Sequence, residues 1–205
     1  WNNYNKFMLG AAVYNNLLPE KKIEWVVMPM YGFGNKDLAG GAGVFYNTHY
    51  DKIFQTIRFG INAERYCYNN KPLDNLNFNK ISPELFFEFK KKHKRSPVRQ
   101  TVRIKQTNII LETAANISDS RPPVYKYDTN FIAINDFTYN LTNSRIINPY
   151  NICLNVQHGE GFVKSSVTIN HKITFKGKRK SLDIRLFAGK FFKHPNNFDG
   201  KYFFK

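Results

Sequence analysis

From Val163 to Lys176 the chain keeps to a period of two. Val163, Ser165, Val167, Ile169, His171, Ile173 and Phe175 form one set; Lys164, Ser166, Thr168, Asn170, Lys172, Thr174 and Lys176 form the other. A basic turn, Lys176-Gly-Lys-Arg-Lys180, follows, and then Leu182, Ile184, Leu186 and Ala188 alternate with Asp183, Arg185, Phe187 and Gly189. Successive strand residues point to opposite faces, so this is a hairpin with one apolar and one polar face. Strands in soluble sandwiches usually run about 5–6 residues. A tilted strand crossing a bilayer needs about 9–11, which matches the length of this pair better.

The pattern recurs along the chain. Ile57, Phe59, Ile61 and Ala63 alternate with Arg58, Gly60, Asn62 and Glu64; Leu85, Phe87 and Phe89 with Glu84, Phe86 and Glu88; Val98, Val102 and Ile104 with Arg99, Thr101, Arg103 and Lys105; and Tyr150, Ile152, Leu154 and Val156 with Asn151, Cys153, Asn155 and Gln157. Further strands are predicted over 7–14, 23–33, 38–46 and 131–141, the last with a bulge near Asn135. Pro29 predicts a bulge or an unpaired position, and the glycines of 40–43 close backbone approach or sharp curvature. Polar composition places long loops over 68–79 and 114–130, and a further strand is expected from Lys201. No stretch sustains a 3.6-residue period. The sum is about ten strands in an antiparallel up-and-down meander, a transmembrane β-barrel or a segment of one, with 1–205 as a single barrel domain.

Composition agrees. Aromatic residues make up 16% of the chain, with nineteen Phe and twelve Tyr, as β structure favours. Mean hydropathy is negative and no apolar run approaches the roughly 20 residues of a spanning helix. That excludes a helical membrane protein but not a barrel, whose inner face and loops are polar. The net charge of +16 points to an anionic partner. The turns after alternate strands carry the cations: Lys21 and Lys22, Lys52, Lys90 to Arg95, Arg145, and Lys176 to Lys180. Read with the two long loops at the other end, these basic turns become the short periplasmic ones. In that orientation the first strand starts outside, which points to a segment of a larger barrel. Cations lie in turns and on polar faces while aromatics lie opposite, so a nucleic-acid groove, which needs both on one surface, is disfavoured. Anionic lipid headgroups suit the basic turns better.

Catalytic chemistry has no foothold. His49, His93, His158, His171 and His194 form no close metal-ligand spacing. Gly32-Phe-Gly34 and Gly40-Gly-Ala-Gly43 precede no helix, so they make no phosphate cradle. Glu84 and Glu88 are expected to face Arg103 and Lys105 across a hairpin. Cys67, at a strand end, and Cys153, on a polar face, are expected as free thiols. Neither catalytic nor metal nor cofactor-binding residues are assigned, and no cofactor is implied. The lipid-facing set is Ile57, Phe59, Ile61, Leu85, Phe87, Ile152, Leu154, Val167, Ile169, Ile184 and Leu186. The lumen-facing set is Arg58, Glu64, Glu84, Glu88, Arg103, Lys105, Lys172 and Arg185.

Several runs add a resemblance: Phe7-Met-Leu-Gly-Ala-Ala-Val-Tyr-Asn-Asn16, Met28-Pro-Met-Tyr-Gly-Phe-Gly-Asn-Lys-Asp-Leu-Ala-Gly40, Leu141-Thr-Asn-Ser-Arg145, Asn148-Pro-Tyr150 and Asp183-Ile-Arg-Leu-Phe-Ala-Gly-Lys-Phe-Phe192. Together they resemble the C-terminal region of large Bacteroidota proteins whose N-terminal part is a gluzincin, membrane alanyl aminopeptidase-like domain. The resemblance implies an outer-membrane β-barrel in a Gram-negative envelope, longer than this chain. It also implies that the zinc and catalytic residues belong to the other domain and match nothing here. The chain would then anchor or assemble the peptidase-like part, with outer-membrane lipid and other envelope proteins as partners. Two alternatives stay open: a soluble barrel or clam-like module holding an apolar ligand, and an anion-favouring channel. Period-two alternation cannot tell an apolar inside from an apolar outside.

Overall fold

The computed structural model of the chain describes residues 4–15, 20–50, 52–69, 75–118, 124–175 and 180–193. Its elements are all strands: β1 (Met8–Gly10), β2 (Val13–Tyr14), β3 (Ile23–Gly32), β4 (Asp37–Thr48), β5 (Phe54–Asn69), β6 (Leu76–Phe89), β7 (Val98–Ser118), β8 (Val124–Asn143), β9 (Tyr150–Gly159), β10 (Phe162–Thr174) and β11 (Ser181–Lys193). They form one antiparallel sheet in the order β1-β3-β4-β5-β6-β7-β8-β9-β10-β11, with β2 also on β3. That is the predicted up-and-down meander.

The first predicted strand is split in two, and Pro29 is the reason. β1 pairs Gly10 with Met30 and β2 pairs Val13 with Val27, which is one continuous register. At the gap the Ala11 N–H donates to the Pro29 carbonyl at 3.2 Å. Proline has no N–H to return, so the ladder lapses there. The eleven strands are therefore ten passes of the chain. No bulge accompanies Pro29 on its other side: it faces Gly40 in an unbroken β3–β4 register. Gly40 has φ 140, and a Cβ there would collide with the Met28 carbonyl, the close backbone approach predicted for this run.

Other predictions are corrected. The β8–β9 register is unbroken from Ile134 to Asn143, so there is no bulge at Asn135 in that pairing. The periodicity changes there because Ile134 falls on the polar side and Asn135 on the apolar side. The loops predicted over 68–79 and 114–130 are largely strand, since β5 runs to Asn69, β6 starts at Leu76, β7 reaches Ser118 and β8 starts at Val124. Of the polar residues that suggested loops, Asn77 and Asn79 are cross-strand partners, of Asp37 and Arg65; residues 70–74 and 119–123 lie outside the described ones. The turn at 176–179, the His194 turn and the strand expected at 201–205 lie outside the described residues.

This reverses the loop-length asymmetry. Connections that follow β3, β5, β7 and β9 span 33–36, 70–75, 119–123 and 160–161; those at the other end of the meander span 15–22, 49–53, 90–97, 144–149 and 175–180. The basic connections are the longer ones, so the expected orientation, with basic turns as the short set, does not hold.

The chain divides into two compact units. The first comprises Trp1–Asn47, Phe59–Pro83 and Thr107–Ala133; the second comprises Thr48–Arg58, Glu84–Gln106 and Ile134–Lys205.

Candidate functional site

Directly paired residues of an antiparallel sheet share a face, so the registers sort the side chains. In the second unit Ile169 stands between Ile152 and Leu186, and Val167 between Leu154 and Ala188. Ile184 faces His171, which lies on this apolar face beside Tyr150. Six of the predicted lipid-facing residues are thus gathered on one surface of three adjacent strands. Phe87 joins Phe54 at a ring separation of 5.2 Å, and Phe54 also meets Phe89. Leu85 and Ile57 are half-buried.

The opposite face of β8–β10 is a neutral amide and hydroxyl network centred on one carboxylate. Asp136 accepts from Asn155 at 2.9 Å, Gln157 at 2.6 Å and the Thr138 hydroxyl at 2.7 Å. Asn151 donates to the Thr142 hydroxyl at 2.8 Å. Lys172 faces Asp183 with their charges 4.0 Å apart, and Arg185 faces Asn170. Cys153 lies here too, opposite Thr168 and Asn140; both cysteines are free. Phe162 is the exception to polarity. Its ring covers Gly159, where any Cβ would collide with it.

Glu88 is buried and paired with Arg99 at 2.7 Å. For Glu88 the expected partners Arg103 and Lys105 are corrected: it pairs with Arg99. Arg103 is exposed; Arg58, Glu84 and Lys105 are half-buried.

In the first unit the polar side carries charges of both signs. Arg65 reaches Asp37 at 3.7 Å, Glu112 at 4.0 Å and the Asn79 side chain at 3.2 Å. Asn77 donates its amide to Asp37 at 3.2 Å, and its backbone N–H to Glu112 at 2.8 Å. Glu64 pairs with Lys80 at 3.2 Å. The Tyr68 hydroxyl donates to the Glu112 carbonyl, and Cys67 is buried near the end of β5, as expected. Glu64 lies beside Gly41 while Arg65 reaches Asp37, and both β4 residues are on one face. The alternation of Ile57 to Ala63 therefore does not continue through Arg65, which is why the sequence reading missed it. Asp37, Asn77 and Glu112 were missed because two of them fell in segments read as turn or loop.

Exposure separates the faces on β3, β4 and β9, but not on β10, where Val167, Ile169, Ser166 and Thr168 are all half-buried, nor on β11, where Asp183, Arg185 and Phe187 are exposed and Ile184 is half-buried. On β3 and β4 the residues Trp25, Val27, Tyr31, Leu38, Val44 and Tyr46 are exposed, while Glu24, Ala39, Gly43 and Asn47 on the other side are buried. Phe59, Ile61, Leu154, Val156 and Leu186 are exposed, the last at 59%. Among the described residues the buried apolar side chains are Ala39, Cys67, Leu76 and Phe162, against eight buried polar ones. Aromatic residues mark strand ends: Phe7, Tyr31 and Phe33 form an exposed cluster with ring separations of 5.7 and 5.2 Å, and Trp25, Tyr46 and Tyr50 are exposed at the other end of β3 and β4.

Among the described residues no group of three or more His, Cys, Asp or Glu side chains could hold a metal ion. Comparison with family models, curated proteins and solved structures returned no match.

Proposed function

We propose that this chain is a segment of an outer-membrane β-barrel, whose apolar face meets lipid and whose polar face lines an interior. The observation that carries the reading is the inversion of burial. Water-soluble β proteins enclose apolar faces and expose polar ones; here Glu24, Asn47, Ser82 and Glu88 are enclosed while Leu38, Ile61 and Leu186 face outward. A contiguous exposed apolar surface of this kind needs a covering, and hydrocarbon fits strands of this length flanked by aromatic residues. A soluble module holding an apolar ligand would need the opposite assignment of faces.

The role is anchoring or assembling an attached peptidase-like part at a Gram-negative envelope, as the sequence resemblance suggests. The work is physical rather than catalytic: strand pairing satisfies backbone polar groups that lipid cannot. The interior charges are paired or hydrogen-bonded with each other, as Arg99 with Glu88 and Arg65 with Asp37. The test is extraction of the protein from cell envelopes, followed by electrophoresis with and without boiling in mild detergent. A detergent-dependent band that shifts on heating is expected. A monodisperse protein in detergent-free buffer would overturn the reading.

A further inference from the structure

The two ends of the meander differ in charge far more than in length. The connections 15–22, 49–53, 90–97, 144–149 and 175–180 hold thirteen Lys and Arg against two acids, Glu20 and Asp51. The connections 33–36, 70–75, 119–123 and 160–161 hold three of each sign. Most of the chain's net charge of +16 therefore sits at one end. Cations packed at one rim repel one another, and an anionic counterpart relieves that repulsion.

The same end carries exposed apolar residues beside the cations. Ile146 and Ile147 follow Arg145 and are 96% and 64% exposed; Tyr50 and Ile53 flank Lys52, and Phe175 leads into the basic 175–180 connection. Trp25 and Tyr46 lie just inside it on the exposed face. Cation, aromatic ring and aliphatic side chain at one level match a headgroup layer, where phosphate meets the first methylenes.

We infer that this basic end docks on phosphate-bearing lipid headgroups, and that the charge-balanced end does not. The inference rests on the barrel reading and adds a direction to it.

The experiment uses the full chain with Trp1→Phe, leaving Trp25 as the only tryptophan. The protein is assembled in phosphatidylcholine vesicles, and its heat-shifted band is scored first. Quenching of Trp25 by brominated phosphatidylglycerol is then compared with quenching by brominated phosphatidylcholine. A several-fold preference for the anionic lipid that fades as salt rises is expected. Each cation near a surface is worth about fivefold, so Lys91→Gln, Lys92→Gln, Lys94→Gln and Arg95→Gln together should abolish the preference. Lys36→Gln with Lys193→Gln, at the other end, should leave it unchanged. Should the fourfold variant fail to assemble, Arg145→Gln with Lys180→Gln puts the same question to other connections. An undiminished preference in assembled basic-end variants, or an equal loss in the control pair, overturns the inference while leaving the barrel standing. Absence of the heat-shifted band in phosphatidylcholine sinks the barrel reading, and the docking inference with it.

Discussion

The polar sides of the two units solve one problem with different chemistry. In the first unit Arg65, Lys80, Asp37, Glu64 and Glu112 neutralise one another over 3.2 to 4.0 Å, with Asn77 and Asn79 filling the gaps. The second also has ion pairs, Glu88 with Arg99 and Lys172 with Asp183, but around Asp136 the hydrogen bonding is done by Asn, Gln and Thr. Their apolar sides do not differ in kind: Val27 and Ile61 in one, Leu154 and Leu186 in the other, all exposed. An enclosed face needs only that its polar groups find partners, by charge or by amide. An outward face meeting hydrocarbon has one acceptable chemistry.

That contrast can be broken at the apolar face first. Ile169, flanked by Ile152 and Leu186, replaced by Arg should cost about 2–4 kcal/mol, the penalty for a cation facing lipid near the bilayer midplane. The heat-shifted band should be lost or its denaturant midpoint lowered; normal assembly would contradict a lipid-facing Ile169. Ile184→Arg should behave alike.

Next come the ion pair and the carboxylate hub. Arg99→Ala strands the buried Glu88 carboxylate and should cost about 2 kcal/mol, below a fully buried pair because Arg99 is half exposed. Adding Glu88→Gln should recover part of the loss in the same urea titration. No recovery would show that Arg99 acts by packing alone. Asp136→Ala removes the common acceptor of Asn155, Gln157 and Thr138 and should cost about 1–2 kcal/mol. A cost in the first unit from Glu64→Gln should be smaller, about 0.5 kcal/mol, because the Glu64–Lys80 pair is partly exposed.

The smallest effect is expected at Pro29. Replacement by Val supplies the missing N–H opposite the Ala11 carbonyl and should join β1 to β2, a gain of about 0.5–1 kcal/mol. Hydrogen exchange should find a protected amide at position 29. Rapid exchange there would mean that the gap has another cause.

How much of this was legible depended on the strand. In β9 and β10 the alternation ran true, and the registers put Ile152, Val167 and Ile169 on one side of the sheet and Lys172 on the other. Around 75–79 it was not, because Asn favours turns locally yet serves here as a cross-strand partner, Asn77 of Asp37 and Asn79 of Arg65. Glu88 was correctly read as half of an ion pair but with the wrong partner, since the choice between Arg99 and Arg103 depends on a register that no single strand encodes.

What the sequence alone determines is the all-β meander and the existence of two chemically distinct faces, because the strand pleat is local and repeats every two residues. Tertiary structure decided which face is enclosed, where Pro29 interrupts its neighbour, and which charges meet. Those outcomes depend on pairing between residues far apart in the chain, Arg65 with Glu112 among them.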